Sequence, residues 1–446
     1  MPNWRKLAGD EGEEVPTSRL SRLASVTGLT AGLSARLLGH KVMNTLTFSS
    51  KERREERLSR LMTQEGRRIV EVLGKMKGAS MKVGQILSAD PDLVPPELAS
   101  ELASLQTAAP PMPWAQVRAV LEAAWDRPIE AVMQSFEPTP RGAASIGQVH
   151  RGTLHDGRVV AIKLQYPGVE DALKSDLKNL GALMSVARVV FDKRRVEGWL
   201  SEVESQLIGE ADYEGEGQRL AEFSALFERF MGFAVPTPVP EWTRRDVLVM
   251  SWVDGDKLDT ALMERDAETR RATCERLART WVVCCFEHQV VHGDPHPGNF
   301  LLQPGGVIGV LDFGAIKRLP VALTDGLLEL FRLLWRRDGE GALALMTRLG
   351  FGEEGAKVSP GLLLEYLELI CAPFIHEGPF DYGAWRPHRA IKRETLSHPS
   401  LWRLAPPEDL LPLVRVASGM KGLFSRLGVS LDVRAMLEEV ARRRLG

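Results

Sequence analysis

Apolar positions along this chain change period several times, and each change predicts a different element. From Leu58 they fall at Leu61, Met62, Ile69, Val72, Leu73, Met76, Val83, Ile86 and Leu87. That three-and-four spacing predicts an amphipathic helix, stopped by Pro91, Pro95 and Pro96. A second short helix is expected to about Thr107, then a proline-rich linker ending at Pro113 and a helix over Trp114–Trp125. The pattern then changes: β-formers gather at Ser145–His150 and Val159–Gln165 around Asp156-Gly157, a pair suited to a hairpin turn. Helical spacing returns over Asp171–Phe191 and Trp199–Phe230. Asp246–Met250 predicts a buried strand, Ala261–His288 a helix, and Val307–Leu311 a short strand. From Pro320 to Gly446 the pattern is essentially helical, with breaks near Pro373, Pro387 and Pro406.

This order predicts an α+β chain of a small mixed lobe followed by a helical lobe, as in the bilobal protein-kinase-like fold. The expected divisions are an N-terminal arm (1–50), a helical extension (51–113), an N-lobe (114–250) and a helical C-lobe (251–446).

A net charge of −2 gives no general attraction for nucleic acid. Cys274, Cys284, Cys285 and Cys371 form no C-x-x-C pair and read as reduced core residues. The longest apolar candidate near the start, Leu23–Ala35, is too short to cross a bilayer as a helix. It lies in an acid-free segment, Val15–Lys51, that carries Arg19, Arg22, Arg36, Lys41 and Lys51. Ala24, Gly28 and Gly32 repeat small residues at a spacing that lets helices approach. The acidic run Asp10–Glu14 argues against a secretory or transit signal. Two readings stay open: a loosely packed arm, or an element for an anionic membrane surface or a homodimer. The expected location is cytoplasmic, peripheral to a membrane, without a transmembrane helix.

The candidate chemistry is concentrated between His292 and Gly314. His-Gly-Asp294-Pro-His-Pro-Gly-Asn299 is followed thirteen residues later by Asp312-Phe-Gly314. Phosphoryl transfer needs a carboxylate to orient the nucleophile and oxygen ligands to hold Mg²⁺ against the phosphates. Asp294, Asn299 and Asp312 supply that set in order. Upstream, Val160-Ala-Ile-Lys163 matches the strand whose lysine takes the α and β phosphates. Its usual helix-borne glutamate partner has candidates in Glu210, Asp212 and Glu216, which equally suit a solvated charged face.

The phosphate loop, Gly142-Ala143-Ala144-Ser145-Ile-Gly147-Gln-Val149, keeps two glycines of G-x-G-x-x-G-x-V but has Ala144 for the middle one. A stiffer loop is expected, because alanine resists left-handed dihedrals. Lys82 and Gln85 share a face of the first helix beside Gly78 and Gly84, which suits either close packing there or an exposed lysine with incidental glycines. No A-P-E follows Gly314, so a platform for a peptide substrate is missing.

Together these motifs resemble the UbiB/AarF family of atypical kinases, which includes the coenzyme Q biosynthesis kinases of mitochondria. The matching residues are Lys82-Val-Gly-Gln85, Ala143-Ala-Ser145, Val160–Lys163, Tyr166-Pro-Gly168, Glu210-Ala-Asp212, His292–Asn299 and Asp312–Gly314. The resemblance implies that Lys82 and Gln85 cover the site and that Lys163 pairs with Glu216. It puts Asp294 at the catalytic position and Asn299 and Asp312 on magnesium, with Glu210 and Asp212 facing the same metal site. Gly142, Ala143, Ala144, Ser145, Met250 and Val253 complete the expected nucleotide contacts. Implied ligands are ATP or ADP with Mg²⁺, and an acceptor related to isoprenoid quinone lipids. Gly142 (for the family's first alanine), Thr107 and Gln218 depart from the family pattern. An aminoglycoside- or choline-type phosphotransferase and a nucleotide-binding pseudokinase scaffold are the alternative readings.

Overall fold

A computed structural model describes residues 111–144, 146–175, 177, 204, 207–209, 211–293, 296–352, 358–398, 400–401, 404 and 406–446. The expectations for the arm, the first helices, Lys82, Gln85, Ser145, Glu210 and Asp294 lie outside these residues.

In chain order the elements begin with α1 (Trp114–Trp125), α2 (Ile129–Val132), β1 (Met133–Phe136), β2 (Gly142–Ala144), β3 (Gly147–Leu154) and β4 (Val159–Gln165). Next come α3 (Tyr213–Phe227), β5 (Phe233–Ala234), β6 (Val247–Ser251), β7 (Asp256–Lys257), α4 (Leu258–Met263) and α5 (Ala267–Phe286). The strands β8 (Val290–His292), β9 (Phe300–Leu302), β10 (Ile308–Val310) and β11 (Ile316–Arg318) then lead into α6 (Val321–Trp335). Later helices and a small strand pair, Phe380–Asp381 with Ser430–Leu431, complete the chain. The mixture is α+β.

Two compact units result: one takes the described residues up to Ser224 plus Pro236–Val253, the other those of Ala225–Val235 plus Asp254–Gly446. In the first, an antiparallel sheet runs β1-β3-β4-β6, with β2 hairpinned onto β3. Its apolar face meets Val117, Leu121 and Trp125, which recur every four residues and so line one side of α1. Each such buried side chain contributes about 1.5–3 kcal/mol. Trp125 adds a hydrogen bond from Nε1 to the Trp242 carbonyl, 2.9 Å. The predicted turn forms: Gly157, at φ 88°, closes it with its N–H on the Leu154 carbonyl.

A buried polar chain crosses this unit. The Met112 N–H donates to Gln148 Oε1 (2.8 Å), Gln148 Nε2 meets His150 Nε2 (2.7 Å), and His150 Nδ1 meets the Glu137 carbonyl (2.8 Å). Since an amide N–H and a carbonyl flank it, the imidazole is neutral with its proton on Nδ1. Burial pushes its pKa below the ordinary 6.5, against the raising effect of the Glu137 carbonyl. As pH falls below 6.5 the unfolded chain takes a proton that the native chain refuses, so stability falls with pH in that window. Denaturation midpoints should drop between pH 6.5 and 5, and less steeply in His150→Gln.

In the second unit α5 buries Cys274, Leu277, Trp281, Cys284 and Cys285. Burial raises the thiols of Cys274 and Cys284 to about 12, as expected of inert core cysteines. Four short strands order as β5-β10-β9-β7, and β8 pairs with β11. Among the described residues no helix is long and apolar enough to cross a membrane.

Three expectations need correction. The helix over Trp199–Phe230 is interrupted at Ala211 and Asp212, because Asp212 Oδ1 accepts the Gly215 N–H (3.0 Å) and starts α3 afresh. The helix over Ala261–His288 breaks the same way, where Asp266 accepts from the Thr269 N–H (2.8 Å). The helical stretch after Pro320 also contains the strand pair at Phe380 and Ser430.

Candidate active site

Strand pairing shapes the phosphate-loop segment. Gly142 pairs with Val149, Ala143 with Gln148 and Ala144 with Gly147, which places the segment in a hairpin. The glycine that matters sterically is Gly147: a Cβ there would stand 2.1 Å from the Leu164 carbonyl oxygen on β4. At Gly142 an added Cβ meets nothing within 4 Å and the backbone is not left-handed. Gly147→Ala should therefore cost about 3 kcal/mol in thermal or chemical denaturation. Gly142→Ala, which restores the third alanine, should stay within about 0.5 kcal/mol of the parent.

β4 runs between β3 and β6, and every residue after Val159 is buried. Lys163, opposite Val149 and Leu248, is carried with them and is only 7% exposed. A buried ammonium needs an anion, and Glu216, 1% exposed on α3, supplies both oxygens at 2.8 and 2.9 Å. Of the two candidate acids among the described residues, Glu216 meets it and Asp212 does not. Asp212 is exposed and caps α3, while Glu210 lies outside the described residues. Met250 is buried on β6 opposite Ala161, and Val253 is half-buried just beyond that strand.

Two neighbours went unnoticed in the sequence. Tyr213, fully buried, has its ring centroid 4.8 Å from Lys163 Nζ. Gln165, two residues past the lysine, donates from Nε2 to the Ala211 carbonyl at 2.8 Å. Tyr213 directly follows Glu210-Ala-Asp212 and Gln165 stands two past Lys163, which marks both as close to motifs but not what they touch.

In the second unit, hairpin register brings the metal-ligand candidates together. β9 and β10 pair Phe300 with Val310, and the next step adds the Leu311 N–H to the Asn299 carbonyl at 2.8 Å. Asp312 therefore follows directly on the residue bonded to Asn299. On the other side, β8 pairs His292 with Ile316, and the Gly293 N–H donates to the Ala315 carbonyl at 2.9 Å. A Cβ on Gly293 would meet that carbonyl at 2.5 Å, so the motif's first glycine permits close strand approach. Both ends of the 292–299 loop are thus fastened beside Asp312–Gly314.

Asp312 adopts φ 60°, and its Oδ1 accepts the Gly314 N–H at 3.2 Å. His292, 2% exposed, donates from Nε2 to the Asp312 carbonyl at 2.5 Å. Its ring also meets the fully buried Phe313 edge-on at 5.8 Å. A left-handed non-glycine residue costs of order 1–3 kcal/mol, and here the histidine and the β11 pairing hold it. Among the described residues no group of three or more His, Cys, Asp or Glu side chains could form a metal cage. Asn299 and Asp312 are hard oxygen donors of the kind Mg²⁺ accepts when phosphates and water complete its shell.

Residues 104–346 match the model of the ABC1 atypical kinase-like domain. The atypical kinase COQ8B, mitochondrial, of Rattus norvegicus is 32% identical over 438 residues, covering 96% of this chain and 82% of its own. The Saccharomyces cerevisiae atypical kinase COQ8, mitochondrial, is 29% identical over 441 residues, covering 96% and 86%. Among solved structures, Mycobacterium tuberculosis Rv3197 in complex with erythromycin matches with a TM-score of 0.61 and 29% identity, covering 86% of this chain and 98% of that one.

Proposed function

Because this chain belongs to the ABC1 atypical kinase-like family, we propose that it binds ATP or ADP with magnesium and turns the nucleotide over. The buried Lys163–Glu216 pair carries the reading: a charge pair this deep is a weak source of stability, so its presence favours a functional use of the lysine. Lys163 takes the α and β phosphates, and the β2–β3 hairpin offers its backbone to them. Asn299 and Asp312 hold magnesium, which when bound draws charge from the phosphate oxygens. Asp294 orients the attacking hydroxyl or water. For Lys82 and Gln85, outside the described residues, the reading takes over the covering role that the family resemblance implies.

The acceptor is a small molecule related to isoprenoid quinones, or water alone, and the protein acts peripherally at a membrane. Protein phosphorylation is disfavoured by chain geometry. Only Ala315–Pro320 lie between Gly314 and α6, and three of those six form β11. No long activation segment is left to support an extended peptide.

Phosphate release from ATP, followed with and without anionic vesicles, tests the reading. Turnover that needs magnesium and leaves a generic peptide unlabelled is expected. Tight nucleotide binding with no turnover under either condition would make the protein a nucleotide-binding scaffold instead.

A further inference from the structure

Glu216 alone does not account for how Lys163 is held. Tyr213 stands three residues before it on α3, so both side chains project from one face of the helix. The carboxylate grips the ammonium at 2.8 and 2.9 Å, and the tyrosine ring lies 4.8 Å from the same nitrogen. The helix start that carries the ring is itself anchored. The Tyr213 N–H donates to the Arg245 carbonyl at 3.1 Å, and Gln165 holds the Ala211 carbonyl at 2.8 Å. The hydroxyl end reaches the phosphate-loop hairpin, since a Cβ on Gly147 would stand 3.1 Å from Tyr213 Oη.

We propose that Tyr213 is a positioning residue whose ring holds the Lys163 ammonium charged and aimed beneath the β2–β3 hairpin. The chemistry favours an aromatic ring in this place. A second carboxylate would leave the socket with net negative charge and repel phosphate. An aliphatic side chain would leave the ammonium desolvated on that side. The ring's negative face attracts the cation without neutralising it, so Lys163 keeps its charge for a phosphate ligand. The one element that rests on the nucleotide reading is what Lys163 grips. The socket stands on its own geometry.

The test uses the full-length chain with Tyr213→Phe and then phenylalanines of increasing ring fluorination at position 213. Fluorination keeps the ring's shape while draining its negative face. Lys163 acetylation by acetic anhydride is read by mass spectrometry at fixed pH, with and without Mg-ATP. Only the neutral amine reacts, so weakening the cation's hold raises the rate. Tyr213→Phe should stay within about twofold of the parent, and the fluorinated series should rise stepwise by about tenfold. The ATP concentration giving half protection should rise in parallel. A flat acetylation rate across the series overturns the positioning role. A graded rate with no ATP protection in the parent chain supports the socket and overturns the nucleotide reading instead.

Discussion

Asp312→Asn should lower magnesium-dependent nucleotide turnover by about a thousandfold, equivalent to ~4 kcal/mol of transition-state stabilisation. Asparagine is the informative replacement. Asp312 sits at φ 60°, a region that asparagine tolerates better than alanine or any branched residue. Its side-chain oxygen can still accept the Gly314 N–H that the aspartate accepts at 3.2 Å. The His292 bond goes to the backbone carbonyl and is untouched by the change. The fold should therefore survive while the charged metal ligand is lost. Steady-state phosphate release and circular dichroism on the same preparation would separate the two effects. Undiminished turnover in a folded variant would remove Asp312 from the metal site.

Lys163→Met is expected to have the largest effect on stability. It leaves Glu216, 1% exposed, without the cation that both its oxygens meet. Breaking a buried pair from one side costs about 3–5 kcal/mol, because the remaining charge stays desolvated. Replacing both partners, as Lys163→Met with Glu216→Leu, removes that penalty and should recover most of the lost stability. Nucleotide affinity should stay lost in the double variant, since the phosphate grip has gone with the lysine. A chemical-denaturation cycle over the four proteins checks the first expectation, and ATP titration of the double variant checks the second. Wild-type ATP affinity in the double variant would show that the pair is structural only.

The legible parts of the chain are those where chemistry or period left few choices. α1 is found over Trp114–Trp125, as its four-residue apolar repeat predicts. Val160-Ala-Ile-Lys163 and Asp312-Phe-Gly314 stand out because few residue types serve their chemistry at that spacing. The three-residue strands β8, β9 and β11 are too short to show a period, yet they fasten the loop around Asp312. The helix breaks at Asp212 and Asp266 carry a local signal, an aspartate three residues before an N–H it caps, that apolar periodicity passes over. Gly147 is read from the sequence as a phosphate-loop glycine, but the Leu164 carbonyl demands it, and that contact belongs to the folded sheet. Tyr213 and His292 act through neighbours 50 and 20 residues away, on Lys163 and Asp312. A linear reading has no way to see such partners.

The central claim is magnesium-dependent nucleotide binding, with Lys163 proposed for the phosphates and Asn299 and Asp312 for the metal. Calorimetric titration of ATP into the full-length protein, with magnesium and then with excess chelator, addresses it most directly. The account predicts saturable binding that weakens at least tenfold on chelation and equally in Asp312→Asn. Binding that is absent, or indifferent to both magnesium and Asp312, would contradict it.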